Sequence, residues 1–374
     1  MLFRGTAELP TAFEFNLAVE SLGGTLQAGT RSDFTTYDLT LPPEHAEAGL
    51  AICAQLFGTP ALRNLELEKR IVREEILEGV DEDGRDVDPD DLAHGIVFGG
   101  HPLGFKIAGA ESTLARFDEA SLRAWHARHY VARNTSIGVA GAIDGAAIER
   151  AIERSFGAIP AGERQIPIPF TKAVRGPRFH FIDSTGSQTD VRVVMPTVGE
   201  EHPLEGATSL LARVLDDGMS TRLFRTVVED TGLAYETFGE LDLYDDVGVL
   251  VVGAAIEHGK TVSLVQTVLG LLQGLRDAPV DARELEKAKT RALFDLRRVL
   301  DDGASIAELL ATDQLFGRTR TLDDLRARVE RVTLDDLRTA ARETIRAEGL
   351  QVVAVGMLGE QTERDARKVV QAFR

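Results

Sequence analysis

One cysteine, Cys53, stands among 374 residues, so neither an intrachain disulfide nor a cysteine-built zinc site can form. A lone thiol neither requires nor excludes an oxidising compartment; the composition suits the cytoplasm and leaves the periplasm open. No run of about 18 apolar residues exists, which excludes a membrane-spanning helix. Positive charge is scarce: 42 Lys and Arg against 60 Asp and Glu leave a formal charge of -18. That balance argues against nucleic acid or an anionic membrane as the main partner. Serine and cysteine nucleophile signatures are missing. Gly23-Gly24 and Gly218 read as turn or bulge glycines, because no strand-then-GxGxxG context surrounds them. The acidic run Asp81 to Asp88 lacks the spacing of a calcium loop and reads as a solvated helix end. What remains is ordinary globular material, 43% hydrophobic and 27% charged, long enough for two or three domains with a core in each.

The chain repeats itself. Val19-Glu20-Ser21-Leu22-Gly23 recurs as Val228-Glu229-Asp230-Thr231-Gly232, an offset of 228 - 19 = 209. Asp118 to Arg123 recurs as Thr333 to Arg338, with Leu122 on Leu337 at an offset of 215. A short apolar strand is expected to end each copy, Ile137-Gly138-Val139-Ala140-Gly141 and Val352-Val353-Ala354-Val355-Gly356. Three matches in one order point to a duplicated domain. Pro160, Pro167, Pro169 and Pro177, with Gly162 and Gly176, mark the seam. The expected division is therefore a first domain over 1–160, a linker over 161–177 and a second domain over 178–374.

Used as a ruler, the repeat sets a further expectation. The second domain opens with the strand-like Phe179 to Ile182 and Val191 to Met195, then a helical stretch from Glu205 to Leu215. The counterpart of residue 179 would fall near position -30, so the first domain is expected to be short at its front by two strands and most of a helix. Elsewhere Thr35 to Leu41 alternates as a half-buried strand and Val247 to Ile256 is a near-continuous apolar strand. Ala46 to Leu56, Leu65 to Val80, Glu119 to Tyr130 and Val280 to Val299 are helical by period. The fold class is α+β, two homologous domains with helices covering one face of mainly antiparallel sheets.

One helix carries an anomaly. On the wheel of Leu65 to Gly79, Leu65, Ile71, Val72 and Ile76 form an apolar stripe, and Glu68 and Glu75 sit in the middle of it. A buried carboxylate needs an arginine, a hydrogen-bond network or a metal; the pattern alone leaves these open, together with a stripe that faces a solvent cleft. His126 and His129, three apart on a helix, offer at most half a metal site; packing against Trp125 and Tyr130 is the simpler expectation.

Several segments together resemble a known family. Met1-Leu2-Phe3-Arg4-Gly5-Thr6, Glu74-Glu75-Ile76, His101-Pro102-Leu103-Gly104 and His126-x-x-His129-Tyr130 are similar to stretches of the inverzincin zinc metallopeptidases, the insulinase, pitrilysin and mitochondrial processing peptidase family. Gly218 to Phe224 and Gly232-Leu233-Ala234-Tyr235 resemble the second-half signature. The family's H-x-x-E-H motif supplies two zinc histidines and a general-base glutamate, and it stands directly before the stretch like Met1 to Thr6. The resemblance therefore implies that motif and base fall ahead of residue 1, in the segment the ruler finds missing.

By the same resemblance Glu75 is the remaining zinc ligand and Glu68 a supporting carboxylate. Gly23-Gly24-Thr25-Leu26-Gln27-Ala28 matches the substrate strand Gly-Gly-x-x-Asn-Ala with Gln27 for asparagine; Gly24, Gln27 and Ala28 are its expected peptide contacts, made by β-augmentation. Tyr235 is the substrate and transition-state tyrosine, but its arginine partner seven residues earlier is Val228. Zinc is the implied cofactor of the complete protein, since three protein ligands and an open water position are needed. This chain alone is expected to bind none tightly and to cleave nothing. The implied role is a subunit of a zinc metalloendopeptidase acting on peptides, pairing with a second peptidase-like chain as a heterodimer or with itself. The alternative is a non-catalytic homologue that serves as a scaffold or presents substrate.

Overall fold

A computed structural model describes residues 1–171, 175–278 and 280–374; residues 172–174 of the expected linker lie outside the described residues. In chain order the elements are α1 (Ala12–Glu20), β1 (Thr25–Thr30), β2 (Thr35–Thr40), α2 (Ala46–Gly58), α3 (Leu65–Glu78), α4 (Pro89–Phe98), the single turn α5 (Glu111–Leu114), α6 (Glu119–His129) and α7 (Gly145–Phe156). Then follow β3 (Arg178–Asp183), β4 (Thr189–Val198), α8 (Glu205–Leu215), the short α9 (Arg222–Phe224), β5 (Thr237–Leu243), β6 (Val247–Ile256) and α10 (Thr261–Asp277). The chain closes with α11 (Ala282–Asp301), α12 (Gly303–Leu315), α13 (Leu322–Glu330), α14 (Leu334–Thr344), β7 (Gln351–Gly356) and α15 (Glu360–Gln371).

The compact units are discontinuous in sequence. Unit 1 gathers Met1–Glu78, Ile107–Pro167 and Arg297–Arg320; unit 2 gathers Gly79–Lys106, Ile168–Leu296 and Thr321–Arg374. Each takes one helical segment from the other's stretch of chain. The two segments are repeat counterparts: α4 starts at Pro89 and α12 at Gly303, an offset of 303 - 89 = 214.

Unit 2 is built on a five-stranded sheet of order β3-β7-β4-β6-β5, in which only the β3–β7 pair is parallel. Its inner strands are apolar at nearly every position, as strands covered on both faces must be. Val191, Val193 and Met195 of β4, with Leu250 and Val252 of β6, pack under α8, α10 and α14. Val194, Val249, Val251, Val353 and Val355 point the other way, onto Ala93, Val97 and Phe98 of α4. The sequence expectation of helices on one face is corrected here: α4 covers the second face. Fully burying each such valine or phenylalanine contributes about 1.5–3 kcal/mol.

A charged position interrupts that second face. Arg192 of β4 is buried, and it is held by two hydrogen bonds to Asp90 of α4, Nε to Oδ1 at 2.6 Å and Nη2 to Oδ2 at 3.0 Å. Its guanidinium lies 4.9 Å from the ring centre of Phe238. Beside it His94 Nε2 meets Asp242 Oδ2 of β5 at 3.2 Å, and His94 Nδ1 lies 3.0 Å from the Asp90 carbonyl. The bond to Asp242 raises the imidazole above its ordinary range, outweighing burial.

Unit 1 has much less sheet. β1 and β2 form an antiparallel hairpin, Thr25 opposite Thr40 and Thr30 opposite Thr35. Its apolar side closes on Phe15, Val19 and Leu56, with Phe3, Leu26, Tyr37, Leu39 and Phe57 packed around them. The Tyr37 and Tyr130 hydroxyls meet at 2.6 Å; burial, reinforced by their proximity, pushes the Tyr37 phenol far above its usual range. A capping box of Thr11 and Glu14 starts α1. On the far side α12 runs along β2, where Phe34 meets Phe316 edge-on at 5.8 Å and Arg31 pairs with Glu308 at 3.4 Å.

The expected strand Ile137–Gly141 is not one. The segment is irregular, and Ile137 to Ala140 make no backbone hydrogen bond among the described residues. Its counterpart β7 is paired on both sides, by β3 and β4. An apolar run becomes a strand only where a neighbour supplies the ladder, and no counterpart of β3 or β4 stands beside this one among the described residues.

Two outcomes follow. Cys53 is buried and its thiol is pushed up to about 12 by desolvation, so a thiol reagent at pH 8 should react only after denaturant unfolds unit 1. The raised His94 stabilises unit 2 fully below its unfolded value of 6.5 and loses that stabilisation as pH climbs through the folded value. Thermal unfolding of the wild type should therefore weaken from about pH 6.5 upward, and His94→Gln should flatten that slope while costing roughly 1 kcal/mol at pH 6.

Candidate functional site

The helix α3 is positioned by the loop before it. Leu62 and Asn64 adopt φ of 49° and 60°, a left-handed conformation that an aliphatic side chain resists, and Leu62 is held there by burial. Backbone bonds fix the loop: Ala7 N–H donates to Thr59 O and Ala61 N–H to Gly5 O, each at 2.9 Å. Arg123 of α6 adds a hydrogen bond to the Ala61 carbonyl at 3.2 Å. Loop and α6 together border a cleft of about 620 Å3.

Gly5 turns the chain at the other side of this junction. Its φ is 118°, and a Cβ there would stand 2.6 Å from the Leu9 carbonyl oxygen. The turn sends Phe3 into the core, stacked 6.0 Å from Phe15 and edge-on to Tyr37 at 6.1 Å. It sends Arg4 outward to Glu68, with which it forms an ion pair. Glu68 is only 15% exposed, so its charge is matched by a guanidinium. Sequence reasoning quoted Arg4 as part of a motif without giving it a role. The signal was available: a buried carboxylate demands a cation, and Arg4 is the nearest basic residue of the matched stretch.

Glu75 is different. It lies two turns along α3, about 10.5 Å by helical rise, and it is exposed with no hydrogen bond or ion pair among the described residues. The stripe it shares is real but open: Ile76 is buried, whereas Leu67, Ile71 and Leu77 are exposed. Of the readings the pattern allows, Glu75 takes the one in which the stripe faces solvent. Among the described residues no group of three His, Cys, Asp or Glu stands close enough to hold a metal ion. His126 stacks on Tyr130 at 4.5 Å and its Nε2 lies 3.1 Å from the Leu56 carbonyl. His129 stacks on Trp125 at 3.8 Å. Both imidazoles are lowered, chiefly by burial, as ring-packed structural histidines would be.

The expected peptide strand is β1. Gly24 is buried, Gln27 and Ala28 are exposed, and Leu26 alone points into the core. Among the described residues β1 pairs with β2 alone, and an extended peptide can join its other edge.

In unit 2, Tyr235 is 94% exposed and follows the turn at Gly232. Val228 lies on the wide helical turn Arg225–Glu229. The arginines nearest in sequence are occupied: Arg222 makes two bonds to Glu284 at 2.6 and 2.7 Å, and Arg225 Nε lies 3.6 Å from Asp230. The loop before them is pinned by Asp216, which accepts from Gly239 N–H at 2.7 Å. Burial raises the Asp216 carboxyl against the effect of that bond.

Comparison with known proteins gives a consistent result. The family description "Insulinase (Peptidase family M16)" matches residues 1–111, and "Peptidase M16 inactive domain" matches residues 116–292. An uncharacterized zinc protease of Bacillus subtilis is 29% identical over 354 residues, covering 92% of this chain and 83% of the relative. One of Mycobacterium tuberculosis is 28% identical over 354 residues, covering 91% and 79%. In fold the chain is similar to a protease from Helicobacter pylori, with a TM-score of 0.82, 19% identity and coverage of 95% and 86%. A crystal structure titled peptidase M16 inactive domain, from Pseudomonas fluorescens, has a TM-score of 0.82 at 18% identity, with the same coverages.

If Arg4 serves to neutralise Glu68, Arg4→Met should destabilise unit 1 by about 2–3 kcal/mol, because a half-buried charge is left alone. Arg4→Met with Glu68→Gln should recover most of it. Urea unfolding of the four proteins of the double-mutant cycle measures the coupling; strict additivity would remove the assigned role.

Proposed function

Because the chain belongs to peptidase family M16, we propose that it is a peptide-handling subunit of a zinc-peptidase assembly, and that it does not hydrolyse peptides by itself. The observation that carries this reading is the state of α3: Glu68 is committed to Arg4, and Glu75 stands exposed and belongs to no group of three metal donors among the described residues. A catalytic zinc takes three protein ligands and keeps a fourth position for water, whose pKa it lowers. The residues described here do not fit that ion, so no hydrolytic step is assigned to them.

Peptide binding is supported by β1. Its edge away from β2 offers main-chain pairing, and the outward Gln27 and Ala28 lie where side-chain selection would occur. Substrates of this class are extended peptides or unfolded segments. A scaffold with no part in catalysis is favoured by one observation, Val228 in place of an arginine with the neighbouring Arg222 bound to Glu284.

Zinc analysis and a fluorogenic peptide mixture test the proposal. The purified chain should carry far less than one equivalent of zinc and should cleave at the buffer rate. A full equivalent with chelator-sensitive cleavage would overturn it. Glu75→Leu separates the two roles: in a scaffold it leaves the fold unchanged or more stable, whereas in a zinc-type subunit it lowers the zinc held by the complex with its partner.

A further inference from the structure

Unit 2 has a strand edge of its own. β5 ends the sheet, paired with β6 alone among the described residues. Tyr244 N–H donates to Val247 O at 2.9 Å, and an antiparallel ladder bonds alternate residues. Gly239, Leu241 and Leu243 therefore turn their backbone N–H and C=O away from β6. The hairpin of β1 and β2 turns in the same way, with Arg31 N–H donating to Phe34 O, an offset of 244 - 31 = 213. By that count Gly239 of β5 stands for Leu26 of β1.

The two edges differ in what lies against them. Gly239 N–H is taken by Asp216 Oδ2 at 2.7 Å, and a Cβ on Gly239 would stand 3.0 Å from the Asp216 Cβ, so this stretch of β5 is shaped to the carboxylate. The loop that carries Asp216 is clamped. The Thr221 hydroxyl lies 2.6 Å from the Gly218 carbonyl and 3.3 Å from Asp216 Oδ1. Asp217 is held between Arg213 of α8 at 2.8 Å and Arg291 of α11 at 2.7 Å, and Lys287 donates to the Ser220 carbonyl at 3.2 Å. In unit 1 the same count puts Gly5, with φ of 118°, in the place of Gly218, with φ of 102°. It puts Phe3 in the place of Asp216 (216 - 213 = 3). Phe3 stacks on Phe15 in the core, so that turn brings no carboxylate to Leu26.

We propose that Asp216 closes the outer edge of β5 to strand addition and so confines extended peptides to β1. A peptide joining β5 must take the Gly239 N–H from a charged acceptor held in place by its own loop. Such a charge-assisted bond is about twice as strong as the neutral one a peptide carbonyl offers. Asp216 is therefore a specificity-determining residue: the repeat provides two strand edges, and this carboxylate leaves one of them to the peptide. The assignment rests on the reading of β1 as the peptide strand, and hydrogen exchange reports the two strands separately.

The probe is a short peptide of alternating valine and threonine with a lysine at each end, added to the full chain and followed by hydrogen exchange. In the wild type the peptide should slow exchange over residues 25–30 and leave 237–243 unchanged. Asp216→Ala should speed exchange of the Gly239 amide about tenfold or more, and the peptide should then slow residues 237–243 about tenfold or more. The same peptide N-methylated at alternate amides should slow neither strand. Should Asp216→Ala unfold, Gly239→Ala displaces the carboxylate from the strand side and carries the same expectation for 237–243. Slowing over 237–243 in the wild type would overturn the proposal. So would a Gly239 amide that stays slow in Asp216→Ala, or a β5 that the peptide leaves unchanged in the variants. Absence of slowing over 25–30 counts against β1 as the peptide strand and not against Asp216.

Discussion

Backbone pairing is the constraint on which this molecule depends. A β segment buried in a protein must place every N–H and C=O against a partner, and in unit 2 that demand is met around β4, which pairs with β6 and β7, the best-buried strands among the described residues. Once the ladder is complete, both faces can be apolar, both can take helices, and the core grows thick. Among the described residues of unit 1 the ladder holds two strands, and with it go a small aromatic core, a half-covered α12 and an apolar segment that stays irregular.

Buried charge is handled the same way in both units. Arg192 sits on a strand face among valines because Asp90 on the covering helix meets it in a two-pronged contact, and Glu68 sits low on α3 because Arg4 arrives from a turn. In each case the partner is remote in sequence, 102 and 64 residues away. Desolvation makes either charge costly alone, so these pairs also select which segment docks where.

Much of the secondary structure was readable from pattern. The helix from Glu205 to Leu215 and the strand from Val247 to Ile256 appear with the expected bounds, because strong periodicity and long apolar runs are local properties. Ile137–Gly141 was misread for the complementary reason: its residues favour a strand, but a strand is a relation between two segments, and local sequence reports only one of them. The α3 wheel likewise told which residues share a face and not how far the face is covered, so it could not separate the largely buried Glu68 from the exposed Glu75. The exchange of α4 and α12 was invisible, since the repeat has the same order whether or not its segments trade places.

That exchange sets a schedule for synthesis. Unit 1 draws Arg297–Arg320 from late in the chain, so the hairpin of β1 and β2 leaves the ribosome about 260 residues before the helix that covers it. At ordinary translation rates the wait is roughly 15–50 s. Through that interval α1 and α2 already pack on the hairpin's apolar side, while the face that α12 takes waits uncovered; unit 2 closes later still, once β7 enters its sheet.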